Sequence, residues 1–131
     1  MEEPLWLTRA IIETLHSEQI REHGGRPGLR DASLLESPLA RARQLWSFDD
    51  SADLVSLAAE YGFGLAKNHA CLDGNKRIAL VATNVFLILN EFEIDVEEPV
   101  VVDIMLRVAD GRMDRDQSAE WIRSAIHPYE G

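Results

Sequence analysis

The sequence predicts an all-α fold: a compact six-helix bundle around a central buried helix, with one short extended flap. Three observations lead there. Apolar residues recur at a spacing near 3.6 over most of the chain. The breaks between those segments are short and carry Gly, Pro, Asn or Asp. Period-two alternation of apolar and acidic residues occurs in one stretch, Glu91 to Val96, the pattern of a short strand or extended flap.

Each element has its own signals. Thr8 caps a first helix to about His23, carried by Ile11, Ile12, Leu15 and Ile20, and Gly24-Gly25 stops it. Gly24 to Arg30 is a loop with three glycines and Pro27. Asp31 or Ser33 caps a second helix through Leu34, Leu35, Leu39 and Ala42, which Pro38 is expected to bend or divide. Ser47 to Asp50 is a polar break. A third helix covers about Ala52 to Asn68. Gly62 and Gly64 weaken it by about 1 kcal/mol each relative to Ala, which points to close packing at those positions. His69 to Gly74 is a short loop. A fourth helix runs from near Asn75 to near Asn90 and is apolar almost all round, as expected of the central helix. Pro99 starts a fifth helix to about Ala109, and Asp110-Gly111 is a turn. Asp114 or Asp116 caps a sixth, with Trp121, Ile122 and Ile126 as its packing face.

Composition narrows the function. The 131 residues are 46% hydrophobic and 27% charged, an ordinary globular balance that fits one domain over 1–131. Thirteen basic against 23 acidic residues give a net charge of -10, which argues against nucleic-acid binding by broad phosphate neutralisation. Any anion must be held by a local basic cluster. The single cysteine, Cys71, allows no internal disulfide. The longest apolar run, Ile78 to Leu89, has 12 residues where a membrane span needs about 20. The acidic start Met1-Glu2-Glu3-Pro4 is unlike a secretory signal. A soluble cytoplasmic protein, with no membrane contact, is the expectation.

Chemistry concentrates in Lys67-Asn68-His69-Ala70-Cys71-Leu72-Asp73-Gly74-Asn75-Lys76-Arg77. His69 is an imidazole that can take a proton from a hydroxyl. Asp73 is a hard oxygen ligand of the kind Mg²⁺ accepts beside phosphate oxygens. Gly74 and Asn75 open a helix N-terminus, where backbone N–H groups favour an anion. Lys76 and Arg77 sit in that first turn against the helix dipole, at about 0.3–1 kcal/mol each unless an anion compensates. Bound charge, a base and a carboxylate at one turn suit phosphoryl or nucleotidyl transfer.

The run resembles the signature of the Fic/Doc family, His-x-Phe-x-Asp-Gly-Asn-Lys-Arg in its Doc (death-on-curing) branch. Leu7-Thr8 with His16, Gly24-Gly25-x-x-Gly28-Leu29-Arg30-Asp31 and Leu34-Leu35-Glu36-Ser37 are similar to the N-terminal half of that branch. The likeness covers nearly the whole chain. It implies the Fic bundle with helix four at its centre. It also implies a toxin partnered by a Phd-like antitoxin, and an enzyme using ATP and Mg²⁺. Fic proteins transfer AMP to a target hydroxyl. The Doc branch is implied to transfer the γ-phosphate to a threonine of elongation factor Tu, halting translation.

Residue 76 bears on that choice. Fic motifs carry a second glycine there, which leaves room for two phosphates. Lys76 crowds the cradle and favours a reversed nucleotide, so a kinase is preferred to an AMP transferase. By the resemblance His69 is the general base, Asp73 holds Mg²⁺ and orients phosphate, and Arg77 stabilises charge on the transferred group. Gly74, Asn75 and Lys76 line the phosphate cradle through backbone and side chain, and Lys67 reaches towards the nucleotide. Cys71 departs from the pattern, since the family's Phe anchors the loop in the core. Losing an aromatic anchor costs on the order of 3 kcal/mol where the site cannot collapse, so a looser loop and weaker catalysis are expected. A degenerate Doc fold that only binds antitoxin or nucleotide is the non-catalytic alternative.

Simpler roles stand beside these. Lys76-Arg77 could be a solvated helix end and Asp73 an N-cap. Cys71 between Ala70 and Leu72 reads as a buried, inert thiol. His16 is expected to pack or hydrogen-bond within helix one, and His23 and His127 to lie at the surface. Arg30-Asp31 reads as an ion pair or cap that fixes the loop. Trp6, Trp46 and Trp121 read as core.

Overall fold

A computed structural model describes residues 2–130. Six helices account for most of it. α1 (Arg9–His23) starts at Thr8, whose hydroxyl accepts from the Ile11 N–H. α2 (Ala32–Phe48) starts at Asp31, whose carboxylate accepts from the Ser33 N–H at 2.9 Å. α3 (Leu54–Asn68) and α6 (Arg115–Ala125) each open with a capping box, Asp53 with Ser56 and Asp114 with Gln117. α4 (Asn75–Leu89) follows the loop after α3. α5 (Glu98–Ala109) takes Pro99 in its first turn, where a missing N–H costs nothing.

Three expectations change. Pro38 is buried inside α2 and does not divide it. It removes the N–H that the Leu34 carbonyl would accept, and the Asn68 side-chain amide supplies the donor instead, at 3.0 Å. Ile126 leaves the sixth helix to join β2 (Ile126–Pro128), antiparallel to β1 (Phe92–Ile94), with Ile94 opposite Ile126. The packing face of α6 is therefore Ser118, Ala119, Ile122 and Ala125. Trp121 stays half-buried.

The third change concerns the centre. α3 buries ten of its fifteen residues and α4 six of fifteen. The reason is side-chain size. Ala58, Ala59, Gly62, Gly64 and Ala66 let neighbours approach α3 from several sides. A Cβ on Gly62 would lie 2.5 Å from the Thr83 hydroxyl of α4, and one on Gly64 would lie 2.7 Å from the Pro38 ring of α2. α4 is apolar all round, yet Leu80, Val81 and Val85 line an open groove.

Most buried polar side chains in the bundle are matched, the Ser118 hydroxyl of α6 being without a partner among the described residues. The Tyr61 hydroxyl accepts from the Leu7 N–H at 3.3 Å, and burial pushes its pKa up to about 12. Buried Glu60 on α3 pairs with Arg115 of α6 at 2.8 Å. Burial raises the Glu60 pKa, against the pull of Arg115 and Arg41. Trp6 packs edge-on to Trp46 and stacks on Phe86, in agreement with a core role for both tryptophans.

Candidate active site

α3 stops at Asn68 because its end is held from two directions. The Asn68 amide is tied to α2, and Arg30 donates to the Asn68 carbonyl at 3.1 Å and to the His69 carbonyl at 2.8 Å. A cation on the last carbonyls complements the helix dipole. His69 then leaves the helix in the left-handed region, φ 51°, with its side chain exposed. Arg30 and Asp31 are thus both caps, of different helices.

The glycine-rich stretch before α2 is laced along the next residues. Ala70 O accepts from Arg30 N–H at 2.7 Å, Cys71 bridges Leu29, and Leu72 N–H donates to Gly28 O. Cys71 is 2% exposed, and burial pushes its thiol pKa up. Asn75 reaches back and clamps Cys71 at both ends. Its Oδ1 accepts from Cys71 N–H and its Nδ2 donates to Cys71 O, each at 2.9 Å. Polar clips therefore pin the loop where the family signature uses an aromatic anchor. The clamp also commits the Asn75 side chain, so only its backbone N–H is left to face a ligand.

Asp73 is fixed through both of its polar parts. Its carbonyl meets His16 Nε2 at 2.7 Å, so buried His16 bonds across to the loop rather than within α1. Its Oδ2 accepts from Arg26 N–H at 3.0 Å, with Arg26 Nε at 3.8 Å. Among the described residues Oδ1 has no hydrogen-bond donor. Asp73 does not cap α4. The N-cap is Gly74, at φ 75°, with no side-chain bond to the first turn. The glycine is required by its φ, since a Cβ would meet only ordinary contacts, 3.5 Å from Ile20 and 3.6 Å from His16.

A pocket of about 440 Å³ opens here, within the usual range for small-molecule sites. His69, Leu72, Asp73, Gly74, Asn75, Lys76 and Arg77 line one side and Val102, Met105 and Leu106 the other. The imidazole and the uncapped helix start share this one cavity. Lys67 does not line it; its Nζ lies beside Gly111, at the turn after α5. Sequence reasoning did not find the α5 wall. Its signal is the i, i+3, i+4 spacing of 102, 105 and 106, which core packing also produces. No group of three or more His, Cys, Asp or Glu side chains is placed to hold a metal among the described residues. A divalent cation here would have Asp73 as its protein ligand and take the rest from phosphate and water, an arrangement Mg²⁺ accepts.

The Fic/DOC family model matches residues 6–87, from before α1 to near the end of α4. The chain belongs to the Fic/DOC family. The match contains the whole loop and the start of α4, and it stops short of the α5 wall. The chain is similar to two Doc proteins. Protein kinase doc of Escherichia phage P1 is 28% identical over 109 residues, 83% of this chain and 86% of that protein. Toxin Doc of Mycolicibacterium smegmatis is 34% identical over 94 residues, 66% of this chain and 72% of that protein. Among the described residues, no helix is long and apolar enough to cross a membrane.

Proposed function

We propose that this protein is the toxin of a toxin–antitoxin pair and a protein kinase, moving the γ-phosphate of ATP to a Thr or Ser hydroxyl of a translation factor. By the resemblance to Doc, that factor is elongation factor Tu, the inhibitor is a Phd-like antitoxin, and the site of action is the cytoplasm. The observation that carries the reading is that His69 and the uncapped start of α4 face one cavity of nucleotide size.

The roles follow from position. His69 takes the hydroxyl proton as the alcohol oxygen attacks phosphorus. The new O–P bond forms as the bond to the β-phosphate oxygen breaks, and ADP departs. The backbone N–H groups of Gly74 and the first turn of α4, with Lys76 and Arg77, bear the charge on the transferring group. Asp73 would hold Mg²⁺ and help orient the phosphate, and the ion would supply positive charge to the phosphate oxygens when bound. Val102, Met105 and Leu106 offer an apolar surface for the base of the nucleotide. Lys76 occupies the room that a second phosphate would need in the cradle, which favours the γ over the α position.

ATP labelled at the γ or the α phosphate, given to the protein with its target, tests this. Label on the target should come from the γ position. His69→Ala should lower transfer roughly 10²–10⁴-fold without changing the melting temperature. Label from the α position alone would mean AMP transfer, and undiminished transfer by His69→Ala would end the enzymatic reading.

A further inference from the structure

His16 of α1 is 4% exposed and does not line the pocket, yet it reaches the loop that does. Its Nε2 lies 2.7 Å from the Asp73 carbonyl oxygen. A carbonyl can only accept, so Nε2 carries the hydrogen and donates it. The Asp73 carbonyl and the Gly74 N–H are the two ends of one planar peptide unit. Gly74 lines the pocket, and its N–H has no acceptor among the described residues. α4 has no side-chain cap, so His16 is the one side chain bonded to that peptide unit among the described residues.

We propose that His16 is a positioning residue for the phosphate cradle: from behind the pocket, its Nε2–H holds the Asp73–Gly74 peptide and strengthens the Gly74 N–H as a donor to an anion. The inference rests on the reading that the start of α4 receives nucleotide phosphate. Two effects act together. Gly74 sits at φ 75°, and glycine has wide backbone freedom, so the peptide before it needs an outside tie to keep one orientation. A hydrogen bond to the carbonyl also draws charge from the amide nitrogen, and chained bonds strengthen one another by roughly 10–30%. The anion then meets a donor already held and polarised, which lowers the ordering cost of binding. Packing alone does not call for an imidazole here, because burying a polar ring costs free energy unless it is bonded. Ile20, one turn along α1, already fills space behind the same glycine, with its methyl 3.5 Å from where a Cβ on Gly74 would stand. His16 touches no reacting group, and its whole effect passes through the peptide.

Calorimetric titration of the full chain tests this with two probes, inorganic pyrophosphate without divalent ions and, separately, ATP with Mg²⁺. His16→Leu removes the donor. It should bind pyrophosphate roughly 3- to 10-fold more weakly than wild type, the range of one net hydrogen bond. His16→Gln keeps an N–H at similar reach and should bind like wild type. Arg115→Met lowers stability through Glu60, away from the loop, and should leave pyrophosphate affinity unchanged. Should His16→Leu fail to fold, His16→Asn, whose amide stops short of the carbonyl, takes its place against His16→Gln. In the ligand-free proteins the Gly74 amide proton should move upfield in His16→Leu and stay in place in His16→Gln. Equal pyrophosphate affinity in wild type and His16→Leu overturns the proposal. So does a loss that a folded His16→Gln fails to restore, or one that Arg115→Met matches. If pyrophosphate follows the expected pattern while ATP binds none of the proteins, the role of His16 stands and the nucleotide reading falls.

Discussion

Asn68→Ala probes how the fold presents His69. Pro38 has no N–H, so the Leu34 carbonyl one turn back lacks its helical donor, and the Asn68 amide replaces it at 3.0 Å. Alanine at 68 strands an acceptor that its own helix cannot satisfy. An unpaired buried group costs about 1–3 kcal/mol. This contact is only partly buried, so the lower half of that range, about 1–2 kcal/mol, applies. At about 2.1 cal/mol/K per residue, a chain of 131 residues has an unfolding entropy of roughly 0.3 kcal/mol/K, which converts the loss into a Tm lower by roughly 3–7 °C. Urea unfolding should show the same loss with an unchanged m-value. The decisive comparison is Pro38→Ala, which restores an N–H within reach of Leu34. In that background Asn68→Ala should cost less than about 0.5 kcal/mol, a coupling on the order of 1 kcal/mol. An equal cost in both backgrounds would refute the exchange of donors.

Three further outcomes follow from the packing. Gly64→Ala puts a Cβ 2.7 Å from the rigid Pro38 ring, and overpacking of about 1–3 kcal/mol should exceed the ~1 kcal/mol gain in helix propensity, so the melting temperature falls. Arg115→Met leaves the Glu60 carboxyl without its ion pair, at about 2 kcal/mol near pH 7, less than a fully buried pair because Arg115 is half-exposed. The raised Glu60 pKa gives that loss a sign: the protonated form is favoured in the fold, so its contribution is full below the ordinary carboxyl range and is lost as pH rises through the raised value. Urea curves of Arg115→Met should therefore recover stability on acidification. Cys71, buried with its thiol pKa raised, should react with a disulfide reagent slowly in the native protein and at once in urea; fast native labelling would mean that the loop opens.

What the sequence discloses here is local, and what it hides is pairing over distance. The caps at Thr8, Asp31 and Asp114 and the stop at Gly24 are readable because a side chain bonds its own next turn. The run from His69 to Arg77 is readable because an imidazole, a carboxylate, a glycine and two cations fall within one short loop and the first turn of a helix, and the pocket does gather them. The clamp from Asn75 to Cys71 and the bond from His16 to Asp73 are not readable, since an amide or an imidazole carries no mark of its partner. The centre of the bundle is hidden in the sequence for a related reason. Apolar content singles out α4, whereas enclosure depends on how near neighbours can come, and the small residues of α3 decide that.

The start of α4 breaks two local rules at once. It has no side-chain cap, and it carries Lys76 and Arg77 where the dipole is already positive. Neither defect is corrected by the surroundings as far as the fold would allow. Asp73 is close enough to serve as a cap, yet its carboxylate turns to Arg26. Asn75 has the right chemistry for a cap and clamps Cys71 instead. Glu98 answers only one of the two cations, from outside the pocket. A chain that places side-chain caps on α1, α2, α3 and α6, and bears a net charge of -10, leaves Lys76 without a carboxylate partner at this turn. Stability alone gives no reason for that arrangement, because a glutamate at 76 would relieve it locally. An anion that comes and goes does, since it needs the N–H groups and both cations available at the moment it arrives.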